Sequence, residues 1–461
     1  MSAYTYRDPE TAPRIPSSDG AGLDADETLQ PLGNAEAARA LADGCAYEVQ
    51  EGDTLWDIAE AQRGDPWTWQ DLYLDNQEVV GENPDLIVPG QVLDVCGDTL
   101  ETGEGDDALG EAAEEQEPPR FVDVATGMFP ALAGEDGYLS SEELDAAMTN
   151  PDLTLEQSAA LVTLRRMQGE LEELNDDEWF DENSGVTLAD LERYRETGEL
   201  PGAEFSPDQW YNYDRGRMEG FSQDPFANEL PDVRAIQQGS IGDCYFLAAL
   251  GSAVAQDPEA VKNMVVREDD GTYTVTFPNG QSANVAAPTL AEMATYGNSG
   301  ADGMWVTLFE RAAGKLRDED AVLPEEELDG GSIAGRAGTD LFSGDGSSNV
   351  DMLGLTDNDT TRDRMEAAFA DGRVVIAGIN NDPFSGDREG LPDAHAYTVI
   401  GYDRATDTVT LRNPHGRNEH VGADGQPLDG TDDGVFTLSM EEFNRLYSSV
   451  SYSNGPIKQE R

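Results

Sequence analysis

Lysine is almost absent from this sequence: only Lys262, Lys315 and Lys458 occur. Lysine and arginine together number 28 against 94 aspartates and glutamates, a formal net charge of −66. Phosphate backbones are bound through a basic footprint, so nucleic acid is excluded as a partner. Attachment to an anionic membrane surface is excluded on the same ground. No stretch is apolar for long enough to span a bilayer, so no membrane insertion is expected. The start, MSAYTYRDPETAPRIPSSDG, lacks both a basic segment and an apolar run, and does not read as a secretory signal peptide. Cysteine and histidine are scarce: Cys45, Cys96 and Cys244, and His395, His415 and His420. What is plentiful is acid. An acidic, lysine-poor surface keeps a chain soluble in high salt, and a saline bacterial source is the expectation.

The length allows several domains, and the composition divides the chain. Residues 1–44 mix Pro, Gly, Ser and acids and read as a disordered tail. Residues 45–96 are compact in pattern. Residues 97–120 are acid-rich and read as an extended linker. Residues 121–200 read as an amphipathic helical module and 201–230 as a connector. Residues 231–453 alternate helix and strand patterns, and 454–461 form a short tail. The class is multidomain α+β.

In residues 45–96, Tyr47 and Val49 alternate as a strand. Asp53 or Thr54 caps a helix carrying Leu55, Ile58 and Ala59. Trp69, Leu72 and Tyr73 suit a second helix, and Pro89-Gly90 turns into a strand with Val92, Leu93 and Val95. The GDTLWDIA run and the NPDLIVPGQVL ending resemble a LysM domain, a β-α-α-β module. The resemblance implies binding of N-acetylglucosamine polymers, peptidoglycan or chitin-like glycan. Its groove would fall on Gly52, Asp53, Thr54 and Leu55, and on Asn83, Pro84, Asp85, Leu86 and Ile87. A fold retained only for protein interaction is the alternative. Cys45 and Cys96 bracket the module. If its two strands pair antiparallel, these thiols come near disulfide distance. A bridge would place the protein in an oxidising compartment, extracellular or at the cell envelope, with the cytoplasm as the alternative.

Two middle segments are similar to EF-hands. In GEDGYLSSEEL, Asp136, Gly137, Leu139 and Glu143 fall at loop positions five, six, eight and twelve. Leu132 and Gly134 stand at positions one and three, where calcium needs oxygen ligands. FDENSGVTLADLERY, with Asp181, Asn183, Gly185 and Asp190, is about a residue short. Helix pairs without metal are expected from both.

QQGSIGDCYFLAALGSAVAQD holds the main chemical signal. Tyr245, Phe246, Leu247, Leu250 and Val254 suit a buried helix with Cys244 in its first turn. A helix N-terminus favours a thiolate, the nucleophile of cysteine hydrolysis. Gly239 and Gly242 are expected to let a substrate backbone approach closely. His395 opens the strand AHAYTVIGYD, and TVTLRNP ends at Asn413. A hairpin pairing residue 402 with 408 puts 397 opposite 413. His395 and Asn413 then become same-face diagonal neighbours. An asparagine accepting from one imidazole nitrogen fixes the tautomer and leaves the other nitrogen for the thiol.

The motifs Q-G-x-x-G-D-C at 238–244, H-A-Y at 395–397 and N-P-x-G at 413–416 resemble, in the same order, the calpain protease core. MWVTLFERAAGKL at 304–316, DGGS at 329–332 and DGVFTLSMEEFNRLY at 433–447 resemble its supporting segments. The resemblance implies a papain-like catalytic domain of two subdomains with a cleft between them. It makes Cys244 the nucleophile, His395 the base and then acid, and Asn413 the orienting residue. Gln238 and the Cys244 amide become the oxyanion donors. The substrate would be a protein or peptide. Two alternatives share the motifs: a transferase or amidase on cell-wall peptides, and a catalytically silent glycan-binding protein. The chain departs from the family where Tyr245 and His415 replace tryptophans. Ala235 and Gly335 stand where the family has acidic calcium ligands. No cofactor and no metal site is therefore required, and calcium is expected not to be obligatory.

Overall fold

The structure, a computed structural model, describes residues 120–317 apart from 135, 176–184, 199 and 204. It also describes 328, 336–345, 347, 349–352, 356–380, 391–417, 420 and 433–457. Before these it describes 46–49, 55, 58, 59, 62, 72, 73, 76–80, 87 and 91–95.

In the N-terminal module, β1 (Ala46–Glu48) and β2 (Val92–Asp94) pair antiparallel, with Ala46 opposite Asp94 and Tyr47 opposite Leu93. Val49, Leu55, Ile58, Ala59, Leu72, Tyr73, Val80, Leu93 and Val95 form one core. Asn76, just before α1 (Gln77–Val80), ties helix to strand. Its Nδ2 donates to Leu72 O at 2.7 Å and Asp94 O at 2.8 Å, and its Oδ1 accepts from Asp94 N at 2.6 Å. A buried amide placed this way uses both its donors and its acceptor. Leu55 is 3 % exposed and belongs to this core, so its side chain supports the fold and offers a glycan no surface. Ile87 also packs against the core. The other groove candidates, Gly52, Asp53, Thr54, Asn83, Pro84, Asp85 and Leu86, lie outside the described residues, as do Cys45 and Cys96.

The middle module contains α2 (Phe121–Leu132), α3 (Ser141–Met148), α4 (Leu155–Arg166) and α5 (Leu188–Thr197). Helix α6 (Pro207–Glu219) follows within the segment read from sequence as a connector. Ser140/Glu143, Thr154/Gln157, Thr187/Asp190 and Ser206/Gln209 each close a reciprocal capping box. The two EF-hand-like segments meet through β3 (Tyr138–Leu139) and β4 (Val186–Thr187), with Leu139 opposite Val186. Their end-of-loop carboxylates are already engaged. Glu143 accepts from Gly134 N, Ser140 N and Ser140 Oγ, and Asp190 accepts from Thr187 N and Thr187 Oγ1. Asp181 and Asn183 lie outside the described residues.

The C-terminal part is built around α7 (Cys244–Gln256), whose residues from Cys244 to Val254 are all buried. It packs against β9 (Arg373–Ile379) and β10 (His395–Asp403). With β8 (Asn349–Met352), β11 (Thr408–Arg412), β12 (Val435–Ser439) and β13 (Ser449–Pro456), these form a six-stranded sheet ordered β12-β11-β10-β9-β13-β8. Every neighbouring pair is antiparallel. Thr398 Oγ1 donates to Ala248 O at 3.1 Å and Val375 N to Ser252 Oγ at 2.8 Å, which pins helix to sheet. A three-stranded sheet, β5 (Val265–Arg267), β6 (Tyr273–Thr276) and β7 (Ser282–Val285), lies beside α9 (Trp305–Arg317). The core under α7 runs without a break into the middle module, where Thr289, the N-cap of α8 (Leu290–Thr295), donates from Oγ1 to Met148 O at 2.6 Å.

The β10–β11 hairpin pairs Tyr402 with Val409, one residue from the expected register. A bulge between Val399 and Gly401 absorbs that residue, and beyond it Thr398 pairs with Arg412. Continued by one step, Tyr397 faces Asn413, as the sequence reading required at the end that matters.

Candidate active site

Cys244 is the first residue of α7 and is 8 % exposed. The backbone amide of Ala396 donates to its sulfur, which places the thiol beside the start of β10. The sequence reading expected the helix start to favour a thiolate. The structure gives the opposite direction for the isolated group: burial pushes the Cys244 thiol up to about 11, and the neighbouring Asp243 adds to it. Burial likewise holds His395 below its usual value, partly offset by its bond to Asn413. Each charge alone is disfavoured by desolvation. Either charge would be favoured only beside the other, as a coupled pair.

His395 Nε2 lies 2.7 Å from Asn413 Oδ1. The backbone N–H of His415 also reaches that atom, at 3.0 Å. A backbone amide can only donate, so the Asn413 atom between them is the oxygen. His395 Nε2 must then carry the proton, leaving Nδ1 as the basic nitrogen. Two features of the chain hold this arrangement. Ala394, just before His395, has φ 54, a left-handed turn that launches β10. Gly416 has φ 74, which closes the turn after Asn413 and explains the glycine of the N-P-x-G motif. The ring of His415 stacks on His395, with centroids 4.7 Å apart and planes 15° apart. Tyr397 meets His395 edge-on at 4.9 Å.

Gln238 sits on the loop leading to Cys244. Its backbone N donates to Pro414 O at 2.9 Å, and its Nε2 donates to Ile241 O at 2.8 Å. That bond uses one of the two Nε2 hydrogens. Gly239 has a different reason from the one expected. A Cβ there would lie 2.3 Å from Thr295 O and 2.4 Å from Tyr296 C, so the glycine admits the chain's own backbone and not a substrate's. His420 is buried and Ala235 is half-buried in the turn before Gln238, while Gly335 lies outside the described residues.

Two contributors were not found from the sequence. Arg412, 1 % exposed, donates from Nη2 to Arg234 O at 2.8 Å and Ile236 O at 2.6 Å, and from Nη1 to Asn413 O. It fastens the end of β11 to the loop that carries Gln238. Its place beside Asn413 was the only available signal. The second is a pair of carboxyls. Asp243 and Glu310 are both fully buried and their carboxyls interact, with the Gly297 backbone packed against Glu310. Burial and the Asp243 charge hold Glu310 well above its usual range. Asp243, the residue before Cys244, thereby faces α9.

The calcium expected of a calpain core does not fit the donors before Gln238. Ala235 brings no side-chain oxygen, and the flanking carbonyls of Arg234 and Ile236 are taken by a guanidinium. Among the described residues no cluster of three or more metal-ligating side chains occurs.

No curated protein matches the chain. Two family models do. Residues 47–95 match the LysM domain, which covers the N-terminal module. Residues 215–454, more than half of the 461, match the calpain family cysteine protease and include Gln238, Cys244, His395 and Asn413. With an N-terminal LysM domain ahead of its catalytic part, this chain belongs to the calpain family of cysteine proteases.

Proposed function

We propose that the protein is a cysteine endopeptidase acting through Cys244, His395 and Asn413, and held on peptidoglycan or a related N-acetylglucosamine polymer by its LysM domain. The observation that carries the catalytic reading is the oxygen of Asn413 accepting from both His395 Nε2 and His415 N–H. It leaves His395 Nδ1 basic at the strand whose next amide bonds the Cys244 sulfur. The Cys244 proton passes to Nδ1 as the sulfur attacks the scissile carbonyl. Negative charge gathers on the carbonyl oxygen, where the Cys244 amide and the Gln238 side chain stabilise it. The imidazolium then gives its proton to the leaving amine, and an S-acyl enzyme forms. Water, deprotonated by the same ring, hydrolyses the acyl group and restores the thiol.

A fluorogenic peptide or casein assay with wild type and Cys244→Ala tests this reading. Turnover should be present in the first and absent in the second; equal turnover would refute it. Amidase or transferase action on wall peptides uses the same residues, and product analysis on peptidoglycan against protein separates the two. The glycan part is tested by sedimentation with insoluble peptidoglycan, where free protein in the supernatant at all loads would remove it.

A further inference from the structure

We propose, resting on the triad reading above, that His415 is a positioning residue for His395: its imidazole lies face to face on the catalytic ring, the two rings together hold a single positive charge, and His415 thereby sets the pH range in which the ion pair with Cys244 exists.

The geometry is specific. The rings are 4.7 Å apart and nearly parallel, and the His415 backbone is fixed by the same Asn413 oxygen that orients His395. The His395 ring cannot turn away without breaking its bond to that oxygen, and the His415 ring is buried against it. Two unit charges stacked at this distance in a buried site repel strongly, because little water lies between them to screen the pair. Catalysis needs the charge on His395, so His415 must stay neutral.

The groups around His415 push it that way. Burial, His395 and Arg417 all disfavour its cation and bring it down to about 4. Arg412 lies at the end of β11, itself under the influence of Asp433 and Asp232, and Cys244 lies beyond His395 at the start of α7. The charged groups acting directly on His415 are therefore both cationic. Above pH 5 it presents a neutral ring to the imidazolium. That ring offers a stacked cation a weaker π face than the indole of tryptophan or a phenyl group does. The imidazolium of His395 is consequently held less firmly than an aromatic hydrocarbon or indole would hold it. Its proton is lost at lower pH.

The test follows alkylation of Cys244 by chloroacetamide across pH, without substrate, in the full-length protein. Wild type, His415→Phe, His415→Trp and His395→Ala are compared, with kcat/KM profiles on a peptide alongside. In both His415 variants the alkaline limb should move up by about one pH unit, the size of one cation–π contact expressed as a pKa shift. The acid limb, where the Cys244 thiolate takes up its proton, should become shallower, because His415 no longer titrates beside it. Limbs in both variants that superimpose on wild type, while His395→Ala abolishes the bell shape, would overturn the role of His415 and leave the triad standing. A wild-type profile unchanged by His395→Ala, or no labelling of Cys244, would overturn the triad reading and this inference with it.

Discussion

Asn413 has one side-chain oxygen and two demands on it, and that economy dictates how single substitutions should behave. Cys244→Ala and His395→Ala remove the nucleophile and the proton carrier, and each should bring peptide hydrolysis to background. Asn413→Ala leaves both in place but frees the tautomer, so a reduced rate should survive. Gln238→Ala should cut kcat by about 10²–10³-fold, the loss typical of one oxyanion donor. Circular dichroism checks that each variant is folded. Near-wild-type turnover across the series would remove the assignment. The meeting of His395 and Asn413 was legible from hairpin arithmetic. The thiol's direction was not: the apolar run marks the helix as buried, but how far the cover over Cys244 outweighs the helix dipole is set by the packed structure.

At the scale of elements, capping and turn chemistry were legible and long-range polar contacts were not. The hairpin register was off by one at its turn because the bulge at Val399/Gly401 leaves no mark in an alternating strand. The same limit hid Asp243 and Glu310. In sequence they are an acid before a cysteine and an acid in an amphipathic helix; only the packing of α7 against neighbouring segments makes them partners. Their pairing carries a consequence for stability. In the unfolded chain Glu310 ionises near its ordinary value of 4.5; in the folded chain it ionises well above it. The folded state thus holds a proton that the unfolded state releases. Its contribution is fully present below the ordinary value and falls as pH rises through the folded one. Glu310→Gln keeps the shape and removes the titration. Denaturant unfolding from pH 4.5 to 8 should show wild type losing stability relative to Glu310→Gln as pH rises. A constant difference across that range would mean the carboxyls do not share a buried proton.

On the scale of the whole molecule the acid-rich surface, the glycan module and the protease part have separate tests. The pairing of Ala46 with Asp94 brings the chain ends that lead to Cys45 and Cys96 together. A bridge between them, in protein recovered from an oxidising environment, should add roughly 2–4 kcal/mol to the module while Cys244 stays free. Non-reducing mass spectrometry finding free thiols at 45 and 96 would remove both the bridge and the argument for an oxidising compartment. Calcium is the last question, and charge alone cannot answer it: at −66 the chain will collect calcium loosely over much of its surface. The relevant positions argue otherwise. Arg412 already supplies a cation to the Arg234 and Ile236 carbonyls, and Gln238 N bonds Pro414 O, so the oxyanion loop is joined to the Asn413 turn by the chain's own donors. The middle-module carboxylates Glu143 and Asp190 are committed to helix caps. Activity measured in chelator should therefore stay within a few-fold of its value in calcium. Magnesium at equal ionic strength should reproduce whatever rise charge screening brings. Arg412→Met should lower activity in chelator, because the guanidinium that joins loop to strand is gone. A wild-type enzyme inert in chelator and switched on steeply by calcium, but not by magnesium, would show that the arginine does not do the metal's work.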